Sequence, residues 1–148
     1  MSYVDGFILA VPTKNLAAYK KLAQKAGQIW TEHGALEYRE CLGEDLDANP
    51  GTPFRDAVLA KKTDTVVFSW IIYRDRKHRD AVNSKVMADK RMAEVMNDPK
   101  SLPFDVKRMS YGGFDVVVDL KASARAAPKK AAKAPKTPAK KKAAAKRA

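Results

Sequence analysis

Hydrophobic residues occupy both alternating sides of Tyr3–Val11: Tyr3, Phe7, Leu9 and Val11 on one, Val4, Ile8 and Ala10 on the other. A strand with two apolar faces is buried on two sides. Pro12 ends it. Asn15 is placed to cap a helix, along which Leu16, Tyr19, Leu22, Ala26, Ile29, Trp30 and His33 recur at helical spacing. Gly34 supplies the stop. Leu36–Leu42 then reads as a strand with a polar face (Glu37, Arg39) and a mostly apolar one (Leu36, Tyr38, Leu42). Gly43–Pro53 is loop by composition, with a turn at Asn49-Pro50-Gly51.

Phe54–Ala60 predicts a short strand, and Lys61–Asp64 a hairpin turn into Thr65–Arg74. That stretch, TVVFSWIIYR, is the most apolar of the chain. It too has two apolar faces, Val66, Phe68, Trp70 and Ile72 against Val67, Ile71 and Tyr73. Asp75 can cap a second helix reaching about Asn97, with Val82, Val86, Met92, Val95 and Met96 on its buried side and a break or bend near Asp89. Asp98-Pro99 and Leu102-Pro103 close it. The last strand is expected within PFDVKRMSYGGFDVVVDL, Pro103–Leu120. Its apolar side chains sit at odd positions before Gly112-Gly113 (Met109, Tyr111) and at even positions after it (Phe114, Val116, Val118, Leu120). A one-residue slip of this kind predicts a β-bulge, with glycine supplying the unusual dihedrals. A bulge is mainly architectural; its functional alternative is close backbone approach by a ligand or a subunit.

The order strand, helix, strand, short strand, strand, helix, strand predicts an α+β fold. It is a ferredoxin-like antiparallel sheet with two main helices on one face. The two doubly apolar strands fall in its middle. Helices cover only one face, and an identical subunit is the simplest cover for the other, giving a homodimer that forms a dimeric α/β barrel.

Charge divides the chain. Its 148 residues carry a formal net charge of +12, but Lys121–Ala148 holds eleven of the 29 basic residues and no acid. The preceding body, residues 1–120, keeps 18 basic against 17 acidic residues and has the length of one domain. Residues 121–148 lack aromatic residues, Ile and Leu, contain three prolines and repel themselves, so this Lys/Ala/Pro-rich tail is expected to be disordered. Lys129, Lys130, Lys133, Lys136, Lys140, Lys141, Lys142, Lys146 and Arg147 are its candidate polyanion-binding residues. They would attract nucleic acid without sequence preference, because nothing beside them reads a base. The alternative is a solubilising extension. A single cysteine, Cys41, excludes an intramolecular disulfide framework and fits a reducing, cytoplasmic setting. The start, MSYVDGFILAVP, has no basic region before a short apolar run interrupted by Asp5 and Gly6, and is expected to be neither signal peptide nor membrane span.

No phosphate loop, GxGxxG, HExxH or CxxC is present, so no cofactor and no metal has local support. Of two histidines, His33 is a candidate general base, although a histidine at a helix C-terminus is more often there for the dipole. His78 lies among Arg76, Lys77 and Arg79 and reads as solvated. Cys41 is flanked by Glu40 and Glu44, which do not activate a thiol. Glu37, Arg39 and Glu40 read most simply as a solvated strand edge.

The stretches WTEHGALEYREC (Trp30–Cys41), TVVFSWIIYRDRKHRDAVNSKVMAD (Thr65–Asp89) and PFDVKRMSYGGF (Pro103–Phe114) resemble the bacterial YbaA-like family, a domain of unknown function. The resemblance spans essentially all of residues 1–120. It implies a ferredoxin-like, dimeric α/β-barrel fold. Relatives in the wider superfamily include cofactor-independent monooxygenases, small-molecule isomerases and stress-responsive barrel proteins. The family brings no established catalytic residues. The tail resembles the Lys-Ala-Pro-rich tails of histone-like bacterial proteins in composition.

A pocket for a small organic ligand, if the chain forms one, would draw on Trp30, His33, Tyr38, Phe68, Trp70, Arg108 and Tyr111. Any enzyme activity built on it would be monooxygenase-like or isomerase-like and cofactor-independent. The same aromatic residues equally suit a dimer interface. Three readings follow: a dimeric barrel with a ligand pocket, a nucleic-acid-associated dimer acting through its tail, and a structural dimer without activity.

Overall fold

The computed structural model describes residues 1–47 and 50–122. Among the described residues four strands and four α-helices follow in the order β1 (Tyr3–Pro12), α1 (Leu16–Glu32), β2 (Glu37–Leu42), α2 (Phe54–Ala57), β3 (Asp64–Tyr73), α3 (Arg76–Ala88), α4 (Lys90–Met96) and β4 (Ser110–Asp115). The strands form one antiparallel sheet in the order β2-β3-β1-β4. With helices α1 and α3–α4 joining the strands in this order, the topology is ferredoxin-like. The doubly apolar strands β1 and β3 are its central pair.

Register sorts the side chains. Tyr3, Asp5, Phe7, Leu9 and Val11 of β1 lie level with Tyr73, Ile71, Ser69, Val67 and Thr65 of β3 and share one face with them. Against this face pack Tyr19, Ala23 and Ile29 of α1, Val82 and Val86 of α3, and Met92 of α4. Fully burying a side chain such as Ile29 or Val86 stabilises by about 1.5–3 kcal/mol. The opposite face presents Val4, Gly6, Ile8, Phe68, Trp70, Ile72 and Phe114, with Phe68 44% and Phe114 61% exposed. Among the described residues it is covered at one end, where Val58 packs on Ala10 and Val66 and the ring of Phe54 stacks on Phe68.

Four local expectations change. Phe54–Ala60 is not a strand but one helical turn and a tight return, closed by the Asp56 amide on the Pro53 carbonyl at 3.0 Å and the Ala60 amide on the Arg55 carbonyl at 2.9 Å. Its apolar residues Phe54 and Val58 stand four apart, so a turn of helix brings both onto the sheet. Asn15 precedes α1 but does not cap it: its amide donates to the Pro103 carbonyl at 3.1 Å and ties down the chain leading to β4. The last strand is shorter than its valines suggest: only Ser110–Asp115 pairs with β1, and Val116, Val117 and Val118 lie beyond it.

No bulge interrupts that pairing. Ser110 through Asp115 run in unbroken register against Ile8 through Tyr3. The apolar residues switch parity because both faces of the strand need one. Tyr111 stacks on Phe7 on the helix side, 5.6 Å between ring centroids, while Phe114 lies over Gly6 and Gly112 on the other.

The break or bend expected near Asp89 is a break between two helices. Asp89 is extended (φ −75°, ψ 125°), and its carboxylate accepts the Arg91 amide to start α4. Asp75 caps α3 by accepting from the His78 amide at 2.7 Å.

Residues 1–118 make one compact unit. Beyond Lys121 and Ala122, the basic segment and all its polyanion-binding candidates lie outside the described residues, as does Asn49 of the expected turn. No helix among the described residues is long and apolar enough to cross a membrane.

Candidate functional site

A cavity of about 420 Å³ lies between the helices and the sheet. Its floor is two adjacent cross-sheet rows: Glu40, Ser69, Phe7 and Tyr111, then Tyr38, Ile71 and Asp5. Its roof comes from Tyr19, Ala26 and Trp30 of α1, Asn83 and Met87 of α3, and Met92, Val95 and Met96 of α4. The segment from Leu102 to Met109, including Phe104, closes one side. The walls are therefore mainly aromatic, aliphatic and thioether, with polar groups at two places.

The first polar place is Glu40. Tyr19 Oη donates to its Oε2 and Tyr38 Oη to its Oε1, both at 2.7 Å. Burial pushes the Glu40 carboxyl above its ordinary value, against the opposing hydrogen bonds from Tyr38, Tyr19 and Ser69. Burial, then the neighbouring Glu40 charge and its hydrogen bonds, pushes both tyrosines upward, so they remain protonated donors. Tyr38 reaches this position because α1 carries glycine above it: a Cβ on Gly27 would stand 2.7 Å from Tyr38 Cδ1. The same Tyr19, Tyr38 and Glu40 also border an outer groove between α1 and β2, so they separate the cavity from that groove.

The second is Asp5, 4% exposed. Arg79 Nε lies 3.2 Å from its Oδ1, close enough for an ion pair but not aligned as a hydrogen bond. Burial raises the Asp5 carboxyl, and the opposing pull of Arg79, Tyr73 and Asn83 does not restore it. Beside it, Trp30 Nε1 donates to Tyr73 Oη at 3.1 Å, and Tyr73 Oη donates to Asn83 Oδ1 at 3.2 Å.

The seven residues expected to share a pocket are divided by the fold. Trp30, Tyr38 and Tyr111 line the cavity. Phe68 and Trp70 project from the opposite face of the sheet, where Trp70 Nε1 donates to Glu37 Oε1 at 2.8 Å. Arg108 is turned to Asp64, Nη1 to Oδ2 at 2.6 Å, and His33 ends α1 and pairs with Asp89 at 2.8 Å. Sequence reasoning missed Glu40, Asp5 and Tyr19. The parity of the strands carried the signal for two of them: Glu40 alternates in phase with Tyr38 and Leu42, and Asp5 with Tyr3 and Phe7, on faces otherwise apolar.

Such a site has two chemical capacities. A desolvated carboxyl held by two phenols can take up a proton nearer neutral pH than an exposed one, and it can pair with a positive group brought by a ligand. No three His, Cys, Asp or Glu side chains among the described residues are grouped to hold a metal ion.

Fold and site thus define a ferredoxin-like α+β domain with an internal, mainly apolar cavity. The chain belongs to the family described as "Protein of unknown function (DUF1428)", whose model matches residues 2–106. It is 47% identical over 119 residues to "Uncharacterized protein YbaA" of Escherichia coli strain K12, a match covering 80% of this chain and 99% of that protein. The protein of the same name from Shigella flexneri matches equally. Among solved structures, a NIPSNAP domain protein from Burkholderia xenovorans is similar with a TM-score of 0.48 and 16% identity, over 81% of this chain and 99% of that one.

Proposed function

We propose that this protein is a homodimer that binds a small organic molecule in the cavity between its sheet and its helices. The observation that carries the reading is the cavity itself: about 420 Å³, mainly apolar, with Glu40 and Asp5 at its margin. This is the size and composition of a pocket for a small organic ligand, in which a few polar groups orient an apolar body. Native mass spectrometry of the gently purified full chain tests it. The expected result is a reproducible extra mass per protomer, lost when Ala26→Trp fills the cavity. A clean protein, with no small molecule retained or bound on addition, overturns it.

Dimerisation is supported by the open sheet face. Val4, Ile8, Phe68, Trp70, Ile72 and Phe114 form an apolar surface on the two central strands and one edge strand. The charges nearest to them, Glu37 and Arg39, pair with each other at 2.8 Å. A face that is apolar and internally neutralised suits a second copy of itself.

A second reading concerns the segment after Leu120. Eleven positive charges in 28 residues without an acid favour a polyanion such as DNA or RNA, bound without sequence preference. Removing residues 121–148 is expected to abolish salt-dependent nucleic-acid binding. Undiminished binding by the truncated body overturns this reading.

A further inference from the structure

Five carboxylates among the described residues are not exposed: Asp5, Glu37, Glu40, Asp64 and Asp89. Four have a cation of the chain beside them. Asp5 has Arg79 at 3.2 Å, Glu37 has Arg39 at 2.8 Å, Asp64 has Arg108 at 2.6 Å, and Asp89 has Arg91 at 2.9 Å and His33 at 2.8 Å. Glu40 is the exception. Its two oxygens are held by the neutral hydroxyls of Tyr19 and Tyr38, and no Lys, Arg or His of the described residues comes within 4.0 Å of it. Lys20 borders the outer groove beside it and still makes no ion pair.

The hydroxyls of Tyr19, Tyr38 and Ser69 are three donors against about four acceptor sites on an ionised carboxylate, so Glu40 can still accept from a ligand. Around them stand groups that favour a positive partner. The faces of Tyr19, Tyr38 and Trp30 carry negative quadrupole density, and the thioethers of Met87, Met92 and Met96 are polarizable. From these observations we infer that the cavity takes an organic cation, a protonated amine on an apolar body, with its positive group at Glu40. The inference rests on the cavity being a ligand site and names the class of its ligand. In this arrangement the ligand supplies the counter-charge that the chain supplies to its other four sheltered carboxylates. Glu40 and the two phenols receive the ammonium; the methionine and aromatic walls receive the hydrocarbon. A neutral ligand would leave Glu40 uncompensated, and an anionic ligand would meet it with like charge.

The experiment is isothermal titration calorimetry on the full-length protein at neutral pH with three probes of one shape: phenylbutylamine, phenylbutanol and phenylbutyrate. The amine is expected to bind at least about tenfold tighter than the alcohol, and the carboxylate weakest. Glu40→Gln is expected to bring the amine and alcohol affinities together while the alcohol is bound as before. If that variant does not fold, nuclear Overhauser contacts in the wild-type protein replace it, expected between the probe's methylene next to nitrogen and the rings of Tyr19 and Tyr38. Contacts only at the Asp5 end overturn the assignment to Glu40. Alcohol or carboxylate bound as tightly as the amine overturns the inference and leaves the ligand site standing. Binding of none of the three overturns the ligand site and the inference together.

Discussion

The phenol of Tyr3 lies across Gly113 so closely that a Cβ at position 113 would stand 2.8 Å from Tyr3 Cε1 and Cζ. Tyr3 is not free to yield. It is 6% exposed, its hydroxyl accepts from Arg79 Nη2 at 3.2 Å, and the same guanidinium stands over its ring at 5.1 Å. The second glycine of the pair thus answers to space, not to an unusual dihedral.

Gly113→Ala is therefore expected to destabilise by about 1–3 kcal/mol, the cost of overpacking a filled site. At Gly112 the nearest atom to an added Cβ is Phe114 Cζ at 3.4 Å, on a ring that is 61% exposed and able to swing aside. Gly112→Ala is expected to stay within about 1 kcal/mol of wild type. Urea unfolding of the two variants side by side checks the contrast; equal losses would disprove it.

Asp64 is 4% exposed and held by Arg108 and by the Lys61 amide at 2.8 Å. Burial alone would raise its carboxyl, but these hydrogen bonds and charges win and hold it below its ordinary 3.8. An acid held low in the folded state adds stability above the unfolded value, and loses it as pH falls through the folded one. Arg108→Leu is expected to cost about 3 kcal/mol at neutral pH. The deficit should shrink as pH falls below 3.8 through the lower folded value, where the wild-type Asp64 carboxylate takes up a proton and its pairing with Arg108 is lost. Thermal unfolding as a function of pH reads both effects.

Glu40 has the opposite sign. Its folded carboxyl lies above the ordinary 4.5, so the unfolded chain ionises first and the wild-type protein loses stability as pH rises from there through the folded value. Glu40→Gln keeps an acceptor for one tyrosine and a donor for the other, without the charge. Relative to wild type it is expected to gain stability between acid and neutral pH. A flat difference across that range would show that Glu40 titrates normally.

Phe68 projects from the open sheet face and is 44% exposed. Phe68→Glu puts a charge there without touching the cavity on the other side of the sheet. Light scattering coupled to size exclusion is expected to show a folded monomer for the variant and a dimer for the wild type. A monomeric wild type at micromolar concentration would remove the homodimer from the proposed function.

Gly27→Ala sets two effects against each other. Alanine favours a helix interior by about 1 kcal/mol over glycine. Its Cβ, 2.7 Å from Tyr38 Cδ1, would displace the ring that holds Glu40 Oε1. Packing is expected to win: lower stability in urea, and a perturbed Tyr38 signal in near-ultraviolet circular dichroism. A more stable variant with an unchanged spectrum would mean that Tyr38 moves aside without cost.

The sequence by itself determined the elements that repeat over many residues. Two doubly apolar strands, a helix stripe from Leu16 to Ile29 and an Asp75 cap were legible because periodicity and capping are local, and their order alone implied the ferredoxin-like sheet with β1 and β3 at its centre. The bend near Asp89 was legible in the same way. Tertiary structure decided what depended on neighbours distant in sequence. Phe54–Ala57 is helical because one turn lays Phe54 and Val58 on the sheet. Gly112-Gly113 sits in regular register because it pairs with Gly6 and Asp5 of β1, and Tyr3 fills the space a side chain at position 113 would need. Glu40 resembled a solvated edge residue beside Glu37 and Arg39 until pairing with Ser69 fixed its face and α1 brought Tyr19 over it. Likewise, parity could suggest that Phe68 and Tyr38 face opposite ways, but only the packed helices show that one of those faces encloses a cavity. A strand's alternation states which residues lie together. Which face is covered, by what, and with which charges left unpaired is a property of the assembled chain.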